Sequence, residues 1–215
     1  MITIKKIFDL ELPQNNIEVK GWIKTFRSSK AVSFAEINDG SLRKGLQVIF
    51  DNNNEKLADF FEKLNTGVSV KITGDLVESP NNANQKCELQ AKQIEVIGES
   101  DPEQYPIQKK RASDEFLRSV AHLRPRTNKY ASMLRIRAEL SFAIHNYFRN
   151  KGFFYVHTPI ITTSDCEGAG EMFSVSALDM EKPPLTKDGK VDFSKDFFGQ
   201  KTALTVSGQL EGEAL

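Results

Sequence analysis

The most constraining feature of this sequence is a long apolar periodicity in its second half. Apolar side chains recur every three or four residues, at Met133, Ile136, Leu140, Ile144, Tyr147 and Phe148. This spacing predicts one helix of about six turns with a continuous apolar face. Gly152 follows the last of these positions, where a glycine readily takes the left-handed conformation that ends a helix. The aromatic and β-branched run at 153–156 predicts a strand, which Pro159 ends because proline cannot donate to a sheet ladder.

The first hundred residues have a different period, because apolar and polar side chains alternate there. The alternation predicts five strands, at 17–24, 33–38, 46–50, 68–76 and 87–97. Spacings of three and four between residues 57 and 64 predict a short amphipathic helix between the third and fourth strands. This order is typical of an OB-fold, a small barrel whose exposed strand face binds oligonucleotides. We therefore predict an α+β chain that begins with a five-stranded OB-fold β-barrel.

Three side chains of the predicted barrel are candidates for contact with a nucleic acid. Counting in twos places Phe34 and Gln47 on the outer side of adjacent strands, and Arg27 ends the first strand beside them. An exposed ring stacks on an unpaired base, an amide hydrogen-bonds a base edge, and a guanidinium binds phosphate or base. The alternatives are a surface phenylalanine covered by a loop and an ordinary solvated glutamine.

Charge is distributed unevenly along the 215 residues, although cationic and acidic side chains are equal in number, 29 of each. Residues 109–151 carry eleven Lys and Arg against three Asp and Glu, whereas 152–215 carry five against ten. The central block is able to attract a polyanion, although a solvated helix face with a linker explains the same charges.

Composition also bears on location and on metal binding. No run of 18 apolar residues occurs, and residues 1–12 mix charged with apolar side chains, so we expect neither a membrane span nor a secretory leader. Cys87 and Cys166 lie far apart without the spacing of a metal site, which favours reduced thiols. The expected location is cytoplasmic, and no metal site is expected within the chain.

The barrel segment resembles a known domain. Residues 21–27, Gly-Trp-Ile-Lys-Thr-Phe-Arg, lead to Ser33-Phe34 and resemble the N-terminal anticodon-binding domain of the aspartyl, asparaginyl and lysyl tRNA synthetases. In the aspartyl and asparaginyl relatives the matching Arg, Phe and Gln read the central anticodon uridine. The resemblance implies this role for Arg27, Phe34 and Gln47, with tRNA as the partner.

The long helix and the residues after it resemble the first signature motif of class II aminoacyl-tRNA synthetases. The motif ends here at Gly152, the predicted strand, Thr158 and Pro159. In that family it builds the dimer interface. The resemblance therefore implies a homodimer in the full-length protein, with these three residues in the dimer motif.

The segment before the helix and a later insertion are similar to the asparaginyl branch of this family. Residues 122–128 read His-Leu-Arg-Pro-Arg-Thr-Asn, and residues 177–201 form a long charged insertion whose wording is found in bacterial-type asparaginyl enzymes. Thr127 or Asn128 is expected to cap the helix. Arg124 and Arg126 either contact the inner corner of a tRNA or pair with carboxylates at the interdomain contact.

The resemblance also assigns an amino-acid pocket. In the family a Glu-Gly-Ala contacts the substrate amino group and a Ser-x-Gln-Leu lines the pocket, which implies these roles for Glu167, Ser207 and Gln209. The aspartyl relatives carry a lysine three residues after the glutamine, whereas this chain has Gly212. Because a buried carboxylate without a cation is costly, this departure favours asparagine over aspartate as the substrate.

The resemblance covers three parts and stops before the catalytic arginines. We predict an OB-fold anticodon-binding domain at 1–100, a hinge at 101–127 and a partial class II catalytic domain at 128–215. The second and third class II motifs, which hold ATP, do not occur, so the chain carries no catalytic residue of the family's kind. The expected reaction is asparagine–tRNA ligation on tRNA(Asn), with ATP and Mg²⁺ bound mainly outside these residues and with the 215-residue chain inactive alone. The alternatives are a stand-alone tRNA-binding or single-strand-binding module and a family-derived asparagine synthetase.

Overall fold

The computed structural model describes residues 2–80, 85–108, 112–166, 168 and 172–215. The chain divides into two compact units, Met1–Ser141 and Phe142–Leu215. The domain limits predicted at 100 and 127 rest on two prolines after residue 100, which break the periodicity, and on the hinge resemblance before the long helix. They stay a prediction.

The first unit contains a closed five-stranded barrel, as predicted. Its strands are β1 (Gln14–Ser28), β2 (Val32–Asn38), β3 (Leu46–Asp51), β4 (Ser69–Glu78) and β5 (Cys87–Gly98). They pair in the order β1-β2-β3-β5-β4, and β4 returns to β1. All pairs are antiparallel except β3 with β5. This is the strand order of the predicted OB-fold.

Alternation of side chains builds the barrel core. On β2 and β3 the residues that point inward are fully or almost fully buried, namely Ala35, Ile37, Leu46, Val48 and Phe50. Phe50 meets the rings of Phe26 and Phe61 edge-on, and the three ring centroids lie 6.0–6.4 Å apart. The outer face of the same strands is thereby free to carry polar or aromatic side chains.

One irregularity in β1 changes which side chains face outward. Ile23 pairs with Ile37 on β2, and Thr25 pairs with Glu36, so Lys24 is an extra residue of the kind found at a β-bulge. Strict alternation from the buried Ile23 would point Arg27 into the barrel. The extra residue instead turns Phe26 to the core and leaves Arg27 exposed, opposite Phe34.

The helices of the first unit differ in part from the prediction. Between β3 and β4 the predicted single helix is a short helix α2 (Glu55–Ala58) followed by a 3₁₀ turn (Phe61–Lys63). An unpredicted helix α1 (Ile4–Ile7) precedes the barrel. Its Ile4 and Ile7 are buried against the core. A helix of four residues is too short for its apolar side chains to show a helical period in the sequence.

The long helix α4 (Asn128–Asn150) has the predicted length. It follows α3 (Asp114–Ser119) and a 3₁₀ turn (Arg124–Arg126). The Thr127 hydroxyl accepts from the Tyr130 amide at 3.4 Å, so Thr127 is the capping residue of the predicted pair. At the other end Gly152 has φ +85°, the left-handed conformation predicted for it. The Phe153 amide donates to the Phe148 carbonyl at 3.1 Å, and their rings lie 5.5 Å apart, as in a Schellman helix end.

The strand predicted at 153–156 is wrong. These residues have no regular secondary structure, and Phe154 is 93% exposed. A strand needs a neighbour to satisfy its backbone groups, and none of the described strands pairs with this segment. Aromatic and β-branched composition indicates a suitable side-chain surface but supplies no partner.

The second unit holds a small antiparallel sheet in the order β6-β8-β7. Its strands are β6 (Ile161–Thr162), β7 (Ser174–Val175) and β8 (Thr202–Leu204), followed by a short helix α5 (Gln209–Glu213). The polar residues that follow β8 therefore form a helix and not a continuation of the sheet. Within the described part of the chain, no helix combines the length and apolar character needed to cross a bilayer.

Candidate nucleic-acid interface and amino-acid pocket

The barrel brings Arg27, Phe34 and Gln47 onto one outer face, which we call the nucleotide face. Arg27 lies directly opposite Phe34 in the β1–β2 ladder, and Gln47 lies opposite Glu36 in the β2–β3 ladder. Phe34 pairs with Ile49, so Gln47 is its diagonal neighbour on the same face. The sequence prediction of a shared outer face is matched by the geometry.

The chemistry of the nucleotide face suits an unpaired base. Phe34 and Gln47 are half-buried and Arg27 is exposed, so a ring face, an amide and a guanidinium are accessible together. Among the described residues, no hydrogen bond or ion pair engages the side chains of Gln47 and Arg27. Their donors and acceptors are therefore available to a ligand.

The nucleotide face also contains a carboxylate that the sequence pattern does not single out. Glu36 lies two residues after Phe34 on β2 and opposite Gln47. Its Oε1 accepts from the Lys24 ammonium at 3.0 Å and from the Gly45 amide at 3.0 Å. Alternation along β2 indicates that Glu36 faces outward, but nothing in the sequence marks Lys24 as its partner.

The two hinge arginines stack on aromatic rings. The Arg126 guanidinium lies 4.8 Å from the centre of the Trp22 ring and donates to the Tyr105 hydroxyl at 3.1 Å. The Arg124 guanidinium lies 5.0 Å from the centre of the Tyr130 ring. The sequence left two alternatives for these arginines, contact with a tRNA or pairing with carboxylates. Among the described residues, neither arginine pairs with a carboxylate. Cation–π contacts hold both side chains instead.

Glu88 is a buried acid on β5. It is 4% exposed, and the Ser79 hydroxyl donates to its Oε2 at 3.4 Å. Burial raises the pKa of the Glu88 carboxyl, and the Ser79 hydrogen bond opposes that rise. An acid of this kind costs stability when it is charged.

Two of the three predicted pocket residues, Ser207 and Gln209, lie in the described part of the second unit. The Ser207 Oγ lies 3.3 Å from the Cys166 Sγ. Gly208 faces Thr158, because a Cβ on Gly208 would lie 2.6 Å from the Thr158 Oγ1. Ser207 is half-buried, whereas Gln209 is exposed at the start of α5. Glu167 lies outside the described residues, so its predicted place beside Ser207 stays a prediction.

The predicted dimer motif differs in exposure along its length. Gly152 ends α4, Thr158 is half-buried, and Pro159 is exposed. A Cβ added to Gly152 would meet nothing within 4 Å, so a side chain would fit there. Glycine is favoured at this position because of the left-handed backbone conformation.

One buried carboxylate of the insertion, Asp196, is bound by backbone amides. The Asp196 Oδ1 accepts from the amides of Ala177 at 2.9 Å and Phe197 at 2.8 Å. A hydrogen bond from the Ser176 side chain, helped by these amides, lowers the pKa of the Asp196 carboxyl. The described residues contain no group of three His, Cys, Asp or Glu side chains placed to hold a metal ion.

Comparisons with known proteins find family matches for the barrel and for the segment that contains the predicted amino-acid pocket. Residues 17–97 match the family described as OB-fold nucleic acid binding domain, and residues 113–210 match tRNA synthetases class II (D, K and N). The second half of the chain is therefore similar to the class II tRNA synthetases of this D, K and N group. The two matched segments cover the nucleotide face and the predicted amino-acid pocket of this family.

The similar proteins are asparagine–tRNA ligases. The one from Acetivibrio thermocellus is 55% identical over 92% of this chain and 42% of its own length. The one from Thermosynechococcus vestitus is 50% identical over 99% of this chain and 46% of its own length. The chain thus spans less than half the length of these synthetases.

Solved synthetases share the fold. Asparaginyl-tRNA synthetase from Pyrococcus horikoshii, complexed with asparaginyl-adenylate, has a TM-score of 0.71 at 23% identity over 99% of this chain and 44% of that one. The enzyme from Entamoeba histolytica gives 0.71 at 22% identity, over 94% and 42%.

Proposed function

We propose that this chain belongs to an asparagine–tRNA ligase, which activates asparagine with ATP and transfers it to tRNA(Asn). The single observation that carries the proposal is the shared nucleotide face of Arg27, Phe34 and Gln47 on a closed OB barrel. The similarity to asparagine–tRNA ligases over almost the whole chain supports it.

In this proposal the barrel binds the anticodon of tRNA(Asn). The half-exposed Phe34 ring stacks on an unpaired base, a contact worth roughly 1–3 kcal/mol. The Gln47 amide then hydrogen-bonds the edge of that base. Arg27, directly across the ladder from Phe34, binds the neighbouring phosphate or base.

Asparagine is proposed as the amino-acid substrate, with Glu167, Ser207 and Gln209 around it. A carboxylate side chain in such a pocket needs a cation, whereas a neutral amide does not. The chain has Gly212 at the position where the aspartyl relatives carry lysine, and a Cβ there would meet nothing within 4 Å. Room for a longer side chain therefore exists, and its absence supports selection of the amide.

ATP and Mg²⁺ are the proposed co-substrate and ion, bound mainly by residues other than these 215. The Pyrococcus horikoshii structure is a complex with asparaginyl-adenylate, which supports ATP as the activating nucleotide. Adenylate formation needs cations that stabilise the negative charge of the phosphoryl oxygens. We also propose a cytoplasmic homodimer that pairs through α4 and through Gly152, Thr158 and Pro159.

The test is aminoacylation of a tRNA(Asn) transcript by the complete protein that contains this chain. We expect ATP-dependent charging with asparagine, and little charging with aspartate. Conversion of aspartate to asparagine without charged tRNA would support an asparagine synthetase instead. RNA binding without any asparagine-dependent ATP–pyrophosphate exchange would support a binding module. The 215-residue chain alone is expected to bind the tRNA and to give no exchange.

A further inference from the structure

Lys24 uses its whole ammonium group inside the protein. Its Nζ donates to Glu36 Oε1 at 3.0 Å, to the Arg43 carbonyl at 3.3 Å and to Asn128 Oδ1 at 2.9 Å. An ammonium has three hydrogens, and three acceptors are present. The side chain is 19% exposed. A lysine in this state has no donor left for an RNA phosphate, although its place on the nucleic-acid-binding barrel marks it as a candidate.

The most consequential of these acceptors is Glu36, because of where it lies. Glu36 shares the nucleotide face with Phe34 and Gln47, and its side chain is 32% exposed. A free carboxylate at this place would repel the phosphates of a bound RNA and would compete with the base for the Gln47 amide. The Lys24 ammonium and the Gly45 amide neutralise and orient it.

The third acceptor belongs to the long helix. Thr127 caps α4, so the Asn128 side chain is free to accept from Lys24. Two further contacts fasten the same end of the helix to the barrel, namely Arg126 on Trp22 and Arg135 Nη2 on the Gly40 carbonyl at 2.5 Å. One ammonium thus joins the nucleotide face to the first turn of α4.

We infer that Lys24 is a positioning residue for RNA binding, which neutralises Glu36 on the nucleotide face and links that face to the start of α4, without contacting RNA itself. The inference rests on the proposed binding of tRNA by the barrel. A lysine that binds phosphate increases RNA affinity through its own charge, whereas Lys24 is inferred to increase RNA affinity by neutralising Glu36. This difference separates Lys24 from the other lysines of the barrel.

The test is a double-mutant cycle on the 215-residue chain. The probe is an RNA hairpin whose loop carries the tRNA(Asn) anticodon, and its Kd is measured at several salt concentrations. Lys24→Met is expected to weaken binding roughly tenfold, because it leaves Glu36 charged and without its cation. Lys24→Met combined with Glu36→Gln is expected to restore affinity to within about twofold of Glu36→Gln alone. The side-chain oxygen of the introduced glutamine can still accept from the Gly45 amide.

The salt dependence separates positioning from direct contact. A lost phosphate contact lowers the slope of log K against log salt by about 0.7 for single-stranded RNA. The comparison is made in the Glu36→Gln background, where repulsion by the uncovered carboxylate is removed. We expect Lys24→Met combined with Glu36→Gln to keep the slope of Glu36→Gln alone. A slope reduced in the double variant, an affinity unchanged by Lys24→Met, or a loss that Glu36→Gln does not rescue would overturn the inference.

Controls keep this result separate from folding and from the proposed function. Lys20→Met removes another β1 lysine, which pairs with Glu18 at 3.5 Å, and should bind as the wild type does. If Lys24→Met does not fold, Lys24→Gln keeps a neutral donor and is expected to show the same rescue by Glu36→Gln. A wild-type chain that does not bind the hairpin contradicts the proposed function as well. Normal wild-type binding without rescue contradicts the role of Lys24 alone.

The link to α4 has its own readout. Asn128→Ala removes the helix partner and leaves the Lys24–Glu36 pair intact. Amide hydrogen exchange in the first turn of α4 is expected to become faster, while the affinity for the hairpin stays within about twofold of wild type. Unchanged exchange in that turn would show that Lys24 does not hold the helix.

Discussion

At the scale of single side chains, the nucleotide face presents three chemically different groups that the proposed function uses to bind an unpaired base. Phe34 supplies a flat apolar surface, Gln47 both a donor and an acceptor, and Arg27 a permanent charge. Phe34 and Gln47 face outward by simple alternation, since Ala35 and Val48 beside them are buried. Arg27 faces outward only because Lys24 is an extra residue in the ladder.

Replacement of Phe34 tests the stacking contact. Phe34→Ala is expected to weaken hairpin binding by roughly 1–3 kcal/mol, because the base loses its aromatic partner. The melting temperature should change little, since the ring is half-buried on the outer face. The measurement is Kd at matched salt, with Phe116→Ala, an exposed phenylalanine of α3, as the control. Equal affinities for the wild type and Phe34→Ala would exclude stacking.

Glu88 makes stability depend on pH in a defined direction. Its folded-state pKa is raised above 4.5 by burial, so the folded chain binds its proton more tightly than the unfolded chain does. This contribution is fully present below pH 4.5 and is lost as pH rises through the folded-state pKa. We expect Glu88→Gln to melt at a higher temperature than the wild type at about pH 7, with the difference shrinking towards about pH 4. A difference that is constant over this range would show that the carboxyl does not titrate as described.

At the level of elements, the periodicity of apolar side chains predicts most of the strands and the long helix. It places the five strands, the length of α4 and the left-handed Gly152. It does not reveal the extra residue at Lys24, because a bulge depends on the partner strand. For the same reason the run at 153–156 has strand composition without strand structure.

In the candidate site, too, local sequence patterns predict some features, whereas others depend on contacts between distant residues. The outward positions of Phe34 and Gln47 follow from counting, and the anticodon role proposed for them rests on family resemblance. The contact of Lys24 with Asn128, and the stacking of Arg126 on Trp22, join residues about one hundred positions apart in the chain. Local patterns carry no information about contacts between such distant residues.

A glycine of β4 tests the packing of the barrel wall. A Cβ on Gly74 would lie 2.1 Å from the Gln90 carbonyl oxygen of β5, whereas a Cβ on Gly98 would lie 3.7 Å from the Ser69 hydroxyl oxygen. Gly74→Ala is therefore expected to lower the free energy of unfolding by roughly 1–3 kcal/mol or more. Urea melts of Gly74→Ala and Gly98→Ala check this, and similar midpoints for the two variants would contradict it.

At the scale of the whole molecule, the charge pattern bears on the proposed partner, a tRNA. The chain is neutral in sum, yet its cations concentrate in 109–151, which in sequence follows the barrel strands and precedes the predicted amino-acid pocket. In the proposed function, a tRNA contacts the barrel through its anticodon and the predicted amino-acid pocket through its acceptor end, because these two parts of a tRNA lie far apart. The segments matched as OB-fold and as class II synthetase flank and overlap that cationic block.

The closed strand order of the barrel bears on how the two units behave in isolation. A sheet that returns to its first strand offers no open ladder to another chain, so the barrel is protected from edge-to-edge association. The sheet β6-β8-β7 is open, and each of its outer strands has one side without a described partner strand. Aggregation of the isolated chain, where it occurs, should therefore begin in the second unit, and the barrel should remain monodisperse when it is produced alone.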